Sequence, residues 1–138
     1  MSMAGQGPDS GGASWERTTA DENRRYREAV LGTRLSRAAT AADVLASRLV
    51  EGQTDDMVRR IAAIRDHVLA HIDSLLNWTE PQFGAYLMSV TWPGVERGQE
   101  LVKTLESLIA AAGANNIQLL RDEAAAVTKV ARLLSEES

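Results

Sequence analysis

The sequence predicts an all-α protein: an antiparallel bundle of about four helices plus a short connecting helix, with a flexible N-terminal tail. Three observations carry this expectation. Four stretches repeat apolar residues at alternating spacings of three and four, the signature of one buried helical face. No stretch shows the apolar–polar alternation of a half-buried strand. Helix-starting and helix-stopping residues fall between the stripes and leave only short loops after the first and third. Helices with one apolar stripe each can bury those stripes only against one another, and short loops favour antiparallel neighbours.

Residues 1–18, MSMAGQGPDSGGASWERT, are dominated by Gly, Ser and Pro and are expected to form the tail, with residues 19–138 as the single bundle domain. Trp15 is read as an incidental residue near the start of order. The first helix is expected from Thr19, which has capping-box spacing to Glu22. Its stripe is Leu31, Leu35, Ala38, Ala42, Leu45 and Leu49, and Gly52 stops it. Gly32 inside it costs about 1 kcal/mol relative to Ala and suggests a bend or a close approach.

The second helix is expected from Thr54 to about Asn77, with Asp55 and Asp56 at its positive end. Its stripe is Met57, Ile61, Ile64, Val68, His71 and Leu75. Thr79 with Gln82 offers a capping box for a short connecting helix to about Val90, and Trp92-Pro93-Gly94 then breaks the chain. A third helix places Leu101, Leu105, Leu108 and Ala112 on one face, flanked by Val102 and Ile109, and closes at Gly113. Asn115 with Gln118 is expected to open the fourth, whose stripe is Ile117, Leu120, Ala124, Val127, Ala131 and Leu134. The heptad-like spacing is equally compatible with a coiled-coil seam to a second copy.

Composition narrows the function classes. The chain has 138 residues, 44% hydrophobic and 25% charged, which suits one domain with one core. Only 4% is aromatic, so the core must be aliphatic. With no Cys there is no disulfide, thiolate nucleophile or Cys-ligated metal. A net charge of −4 argues against DNA binding, which rests on a Lys/Arg surplus. Basic residues are almost all Arg, a skew that fits GC-rich coding. No apolar run approaches the roughly 20 residues that span a bilayer, and no secretory signal opens the chain, so a cytoplasmic location is expected.

Four groups of residues invite a chemical reading. His67 and His71, the two histidines, stand at i and i+4 and could share a metal from one helix face, but no further ligands accompany them and no metal site is expected. They lie in the segment IRDHVLAHID, Ile64 to Asp73. Arg, then an acidic residue, then His several positions on resembles the active-site motif of HEPN ribonucleases, all-α domains, often toxins, that act as dimers. The resemblance implies a metal-independent ribonuclease with Arg65, Asp66 and His71 as catalytic positions. His71 would serve acid–base chemistry on a ribose hydroxyl and Arg65 would stabilise phosphate charge. On one helix, Arg65 and His71 are about 120° apart around the axis.

Arg24, Arg25, Arg27, Arg34 and Arg37 crowd the first half of helix one. Asp21, Glu22 and Glu28 are interleaved with them, so a solvated, salt-bridged face is the reading, with an anionic membrane surface as the alternative. Finally, Trp78, Phe83, Tyr86 and Trp92 fall within fifteen residues, with Met88 among them. They either cap one end of the bundle or form a binding patch, since Trp and Tyr dominate such patches.

No P-loop, dinucleotide fingerprint, nucleophile elbow or catalytic carboxylate pair is present, so no cofactor is expected. The expected function is a non-enzymatic helical-bundle module that binds protein, a second copy of the chain being one candidate. Its binding residues would be Trp78, Phe83, Tyr86, Met88 and Trp92. RNA or an anionic membrane would be partners only under the ribonuclease or membrane readings.

Overall fold

The computed structural model describes residues 8–53, 56–77 and 92–137, with the side chains of 8–18, 20 and 77 left out. Four α-helices account for nearly all of them: α1 (Pro8–Val50), α2 (Met57–Asn77), α3 (Pro93–Ala112) and α4 (Ile117–Glu137). Among the described residues there is no strand. Each helix runs antiparallel to the next. α1 packs on α2 and α4, α3 packs on the same two, and α1 and α3 also meet across the middle, leaving α2 and α4 at opposite corners. An all-α antiparallel bundle is therefore the fold.

The core is aliphatic, as the shortage of aromatics requires. Leu35, Leu49, Ile61, Val68, Leu101, Leu105, Leu108 and Val127 are its fully buried larger side chains, and among the described residues no polar or charged side chain is buried. Three stripe positions are corrected. Ile72, not His71, belongs to the α2 seam, Ala39 is buried more deeply than Ala38, and Ala111 more deeply than Ala112. Each shift exchanges a step of three for a step of four, or the reverse, on one face, and 3.6 residues per turn allows both. Ile117 is half-exposed, because the first turn of α4 stands clear of its neighbours.

The helix ends show why each element stops where it does. At Gly52, φ of +99° suits a residue without Cβ. Its N–H donates to Leu49 O and that of Gln53 to Arg48 O, both at 3.0 Å, which satisfies two otherwise orphaned carbonyls. In the α3–α4 turn Gly113 stays right-handed, and Asn115 takes the left-handed φ of +54°. The cap of α4 is Asn116, whose Oδ1 accepts the Leu119 N–H at 3.1 Å, rather than Asn115. Gln118 bonds forward to Asp122 instead of reaching back.

α2 starts at Met57, with the Asp56 carbonyl accepting the Arg60 N–H; the expected start at Thr54 falls outside the described residues. α3 opens at Pro93, so Pro93 and Gly94 begin the helix rather than precede it. Proline is well suited to a first helical position, where its missing N–H would be unpaired anyway. Trp92 gives α3 no side-chain cap. Glu28 of α1 supplies one from across the bundle, its Oε2 accepting the Gly94 N–H at 2.9 Å. A carboxylate at this positive end also suits the helix dipole.

The largest difference from expectation is the start of α1. The helix is continuous from Pro8, and the Thr19 carbonyl already accepts a bond from Asn23 Nδ2, so Thr19 is an interior residue and not a cap. Once the bundle has nucleated α1, each further residue adds a hydrogen bond at little cost. The expected tail thus divides: residues 8–18 have helical backbone, and 1–7 lie outside the described residues. α1 has 43 residues against 20 or 21 in each of the others. Among the described side chains its first buried residue is Leu31, and Thr19, Asp21, Asn23, Arg24, Arg27 and Glu28 ahead of it are partly buried. The expected connecting helix at 79–90 lies outside the described residues.

Candidate functional site

Two places on this scaffold merit a functional reading: a polar groove between α1 and α2, and the bundle end at which α2 finishes and α3 begins. Both lie where α1 leaves the core.

The groove forms because α1 and α2 are joined by a tight turn and run antiparallel, which brings Arg34 level with His71. Arg34 Nη1 lies 3.3 Å from His71 Nδ1. A guanidinium can only donate, so Nδ1 accepts, and the neutral ring carries its proton on Nε2. His67, one turn earlier on α2, stacks beside it with ring centroids 6.5 Å apart and planes inclined by 25°. Partial burial, then the positive charge of Arg34, then His67 hold His71 below the ordinary histidine value of 6.5. Tyr26, Arg27, Val30, Leu31, Arg34, His71, Ser74 and Leu75 together enclose a groove of about 280 Å³.

The ribonuclease-like positions are distributed differently. Arg65 is engaged by its neighbour Asp66, with Nε and Nη2 each 3.1 Å from Oδ1. His71 is engaged by Arg34 of α1. The structure thus pairs Arg65 with Asp66 and His71 with a residue absent from the motif. Among the described residues no group of three His, Cys, Asp or Glu could hold a metal ion, so His67 and His71 gain no further ligand there.

At the bundle end, Trp92 is partly buried and packs against the core beside the first turn of α3. Of the expected binding residues, Trp78, Phe83, Tyr86 and Met88 lie outside the described residues. Their chain leaves from Asn77 and returns at Trp92, and both anchors belong to the same end. Near it, Glu28, Gly32, Gly94, Arg97, Leu134 and Glu137 border a cleft of about 350 Å³ between α1, α3 and α4. Arg97 closes its rim with a 2.8 Å ion pair to Glu137.

The Arg-rich face of α1 is partly paired: Arg24 lies 3.8 Å from Asp21. Arg34 belongs to the groove instead. Sequence reading placed Arg34 only within that face and did not single out Ser74. The available signal was the tight turn after Gly52, because reflecting the chain about it sets Arg34 against the end of α2.

Fold and site together define a small antiparallel four-helix bundle with an open, donor-rich groove. No protein-family model, curated protein or solved structure matches the chain. Among the described residues, no helix is long and apolar enough to cross a membrane.

Proposed function

We propose that this chain is a non-enzymatic helical-bundle module that works by binding protein, and that the contact is made at the bundle end where the aromatic segment leaves and returns. The observation that carries the reading is the common placement of its anchors. Asn77 ends α2 and Trp92 precedes α3 at one end of the bundle, so the aromatics between them are tethered there at both ends. Aromatic side chains bring large contact area at low entropic cost, and a cluster of them can supply several binding hot spots together.

A second copy of the chain is the first partner to test. Sedimentation of the wild type and of a Phe83→Ala/Tyr86→Ala variant measures self-association, and affinity capture from the native host measures other partners. The reading predicts that the double variant stays folded and loses association. Association kept intact in a folded double variant would reject it.

A further inference from the structure

The α1–α2 groove has a composition that the protein-binding reading does not use. Its polar lining consists of Arg27, Arg34, His71, Ser74 and Tyr26, and among the described residues it contains no carboxylate. In a chain of net charge −4 such a lining is a local inversion of sign. The charged and titratable groups around His71 are Arg34 and Arg27 from α1 and His67 from its own helix; none comes from α3 or α4 among the described residues. Of the acids flanking it on α2, Asp66 is engaged by Arg65, and Asp73 is exposed and outside the lining.

Arg34 meets a histidine where an arginine ordinarily meets an acid. The contact holds only while His71 is neutral; a protonated ring would set two donors and two positive charges against each other. An anion between them removes the conflict, because both groups can then donate to it. The donors stand on two helices and include hydroxyls as well as a guanidinium. A single guanidinium fork suffices for a planar carboxylate, whereas a set drawn from two elements suits an anion with three terminal oxygens. Val30, Leu31 and Leu75 add a small apolar part to a mostly polar lining, and about 280 Å³ leaves room for a small organic body beside the anionic head.

We propose that the α1–α2 groove binds the phosphoryl group of a small phosphate monoester, with Arg34 and His71 as its principal ligands and Ser74 and Tyr26 as hydroxyl donors. The dianion favours the protonated ring, so binding it takes up a proton at His71, and an anion that stays doubly charged binds more tightly as pH falls. This site is independent of the aromatic end and stands or falls separately from it.

Sulfate is the first probe, because it stays a dianion across the range in which histidine titrates. The midpoint of the His71 ring signals is followed by NMR in sodium sulfate and in sodium chloride of equal ionic strength, the chloride series removing general screening. The site predicts a higher His71 midpoint in sulfate than in chloride. Arg34→Gln weakens sulfate binding about tenfold, as expected for loss of one charge-assisted contact, with the melting temperature as the check on folding. His71→Gln abolishes the pH dependence of binding. Arg59→Gln, at the far end of α2, leaves both unchanged. Phenyl phosphate, which can also use the apolar part of the lining, binds more tightly than sulfate. A His71 midpoint identical in sulfate and chloride, or sulfate binding in folded Arg34→Gln equal to wild type, overturns the site. Sulfate binding with phenyl phosphate no tighter overturns its assignment to monoesters.

Discussion

At the scale of single residues, the same change has opposite consequences at two glycines. A Cβ at Gly32 would meet nothing within 4 Å, so of the bend or close approach the sequence suggests there, this glycine marks no close approach. Gly32→Ala should stabilise by about 0.5–1 kcal/mol through helix propensity and a less flexible unfolded chain. Gly98 is buried, and a Cβ there would lie 2.6 Å from Ile72 Cδ1 and 3.0 Å from its Cγ1. Gly98→Ala should therefore destabilise by about 1–2 kcal/mol, overpacking outweighing propensity. Urea midpoints of the two variants check the pair. His71 gives a pH prediction. Its folded pKa is lowered from 6.5, so near and below that value the unfolded chain binds more protons. The stability contributed by neutral His71 is complete above the unfolded value and is lost as pH falls through the window below it. Melting curves at about pH 8 and about pH 5 should show less acid destabilisation in His71→Gln than in the wild type, measured without multivalent anions. Periodicity set His71 on the seam, and it stands one position off, beside buried Ile72, because spacing resolves a helical face but not its edge. Its link to Arg34 crosses two helices, and no local pattern records it.

At the scale of elements, the helix ends carry most of the detail. Asn116→Ala should cost about 1 kcal/mol, since it removes the side-chain bond to the Leu119 amide, whereas Asn115→Ala should cost stability through its left-handed φ. Denaturant midpoints of the two, with Asn115→Gly as the variant that tolerates that φ, separate a cap from a turn. The boundaries most legible in the sequence were those with local chemistry: Gly52 after α1 and Gly113 after α3. The start of α1 was not legible. Thr19 and Glu22 have capping-box spacing, yet the same residues fit the interior of a helix whose described residues begin at Pro8. The cap of α3 was also hidden, because Glu28 reaches Gly94 from another helix.

At the scale of the whole molecule, one aliphatic core joins all four helices, and its packing sets the sensitivity to truncation. Leu105→Ala and Leu101→Ala, both fully buried, should cost about 3–5 kcal/mol, while Ile64→Ala, only partly buried, should cost less. Equal losses at all three would mean that Ile64 is packed as tightly as the centre. The central claim is that binding is confined to one end of this bundle. The two ends can be compared directly, because the opposite end exposes the apolar side chains Ile117 and Leu119 in the first turn of α4. The decisive measurement is partner retention, or self-association where the partner is a second copy, for Phe83→Ala/Tyr86→Ala beside Ile117→Ser/Leu119→Ser, each with its melting temperature. The account predicts that retention collapses in the first variant and persists in the second, with both folded. Retention kept in the first and lost in the second would contradict it.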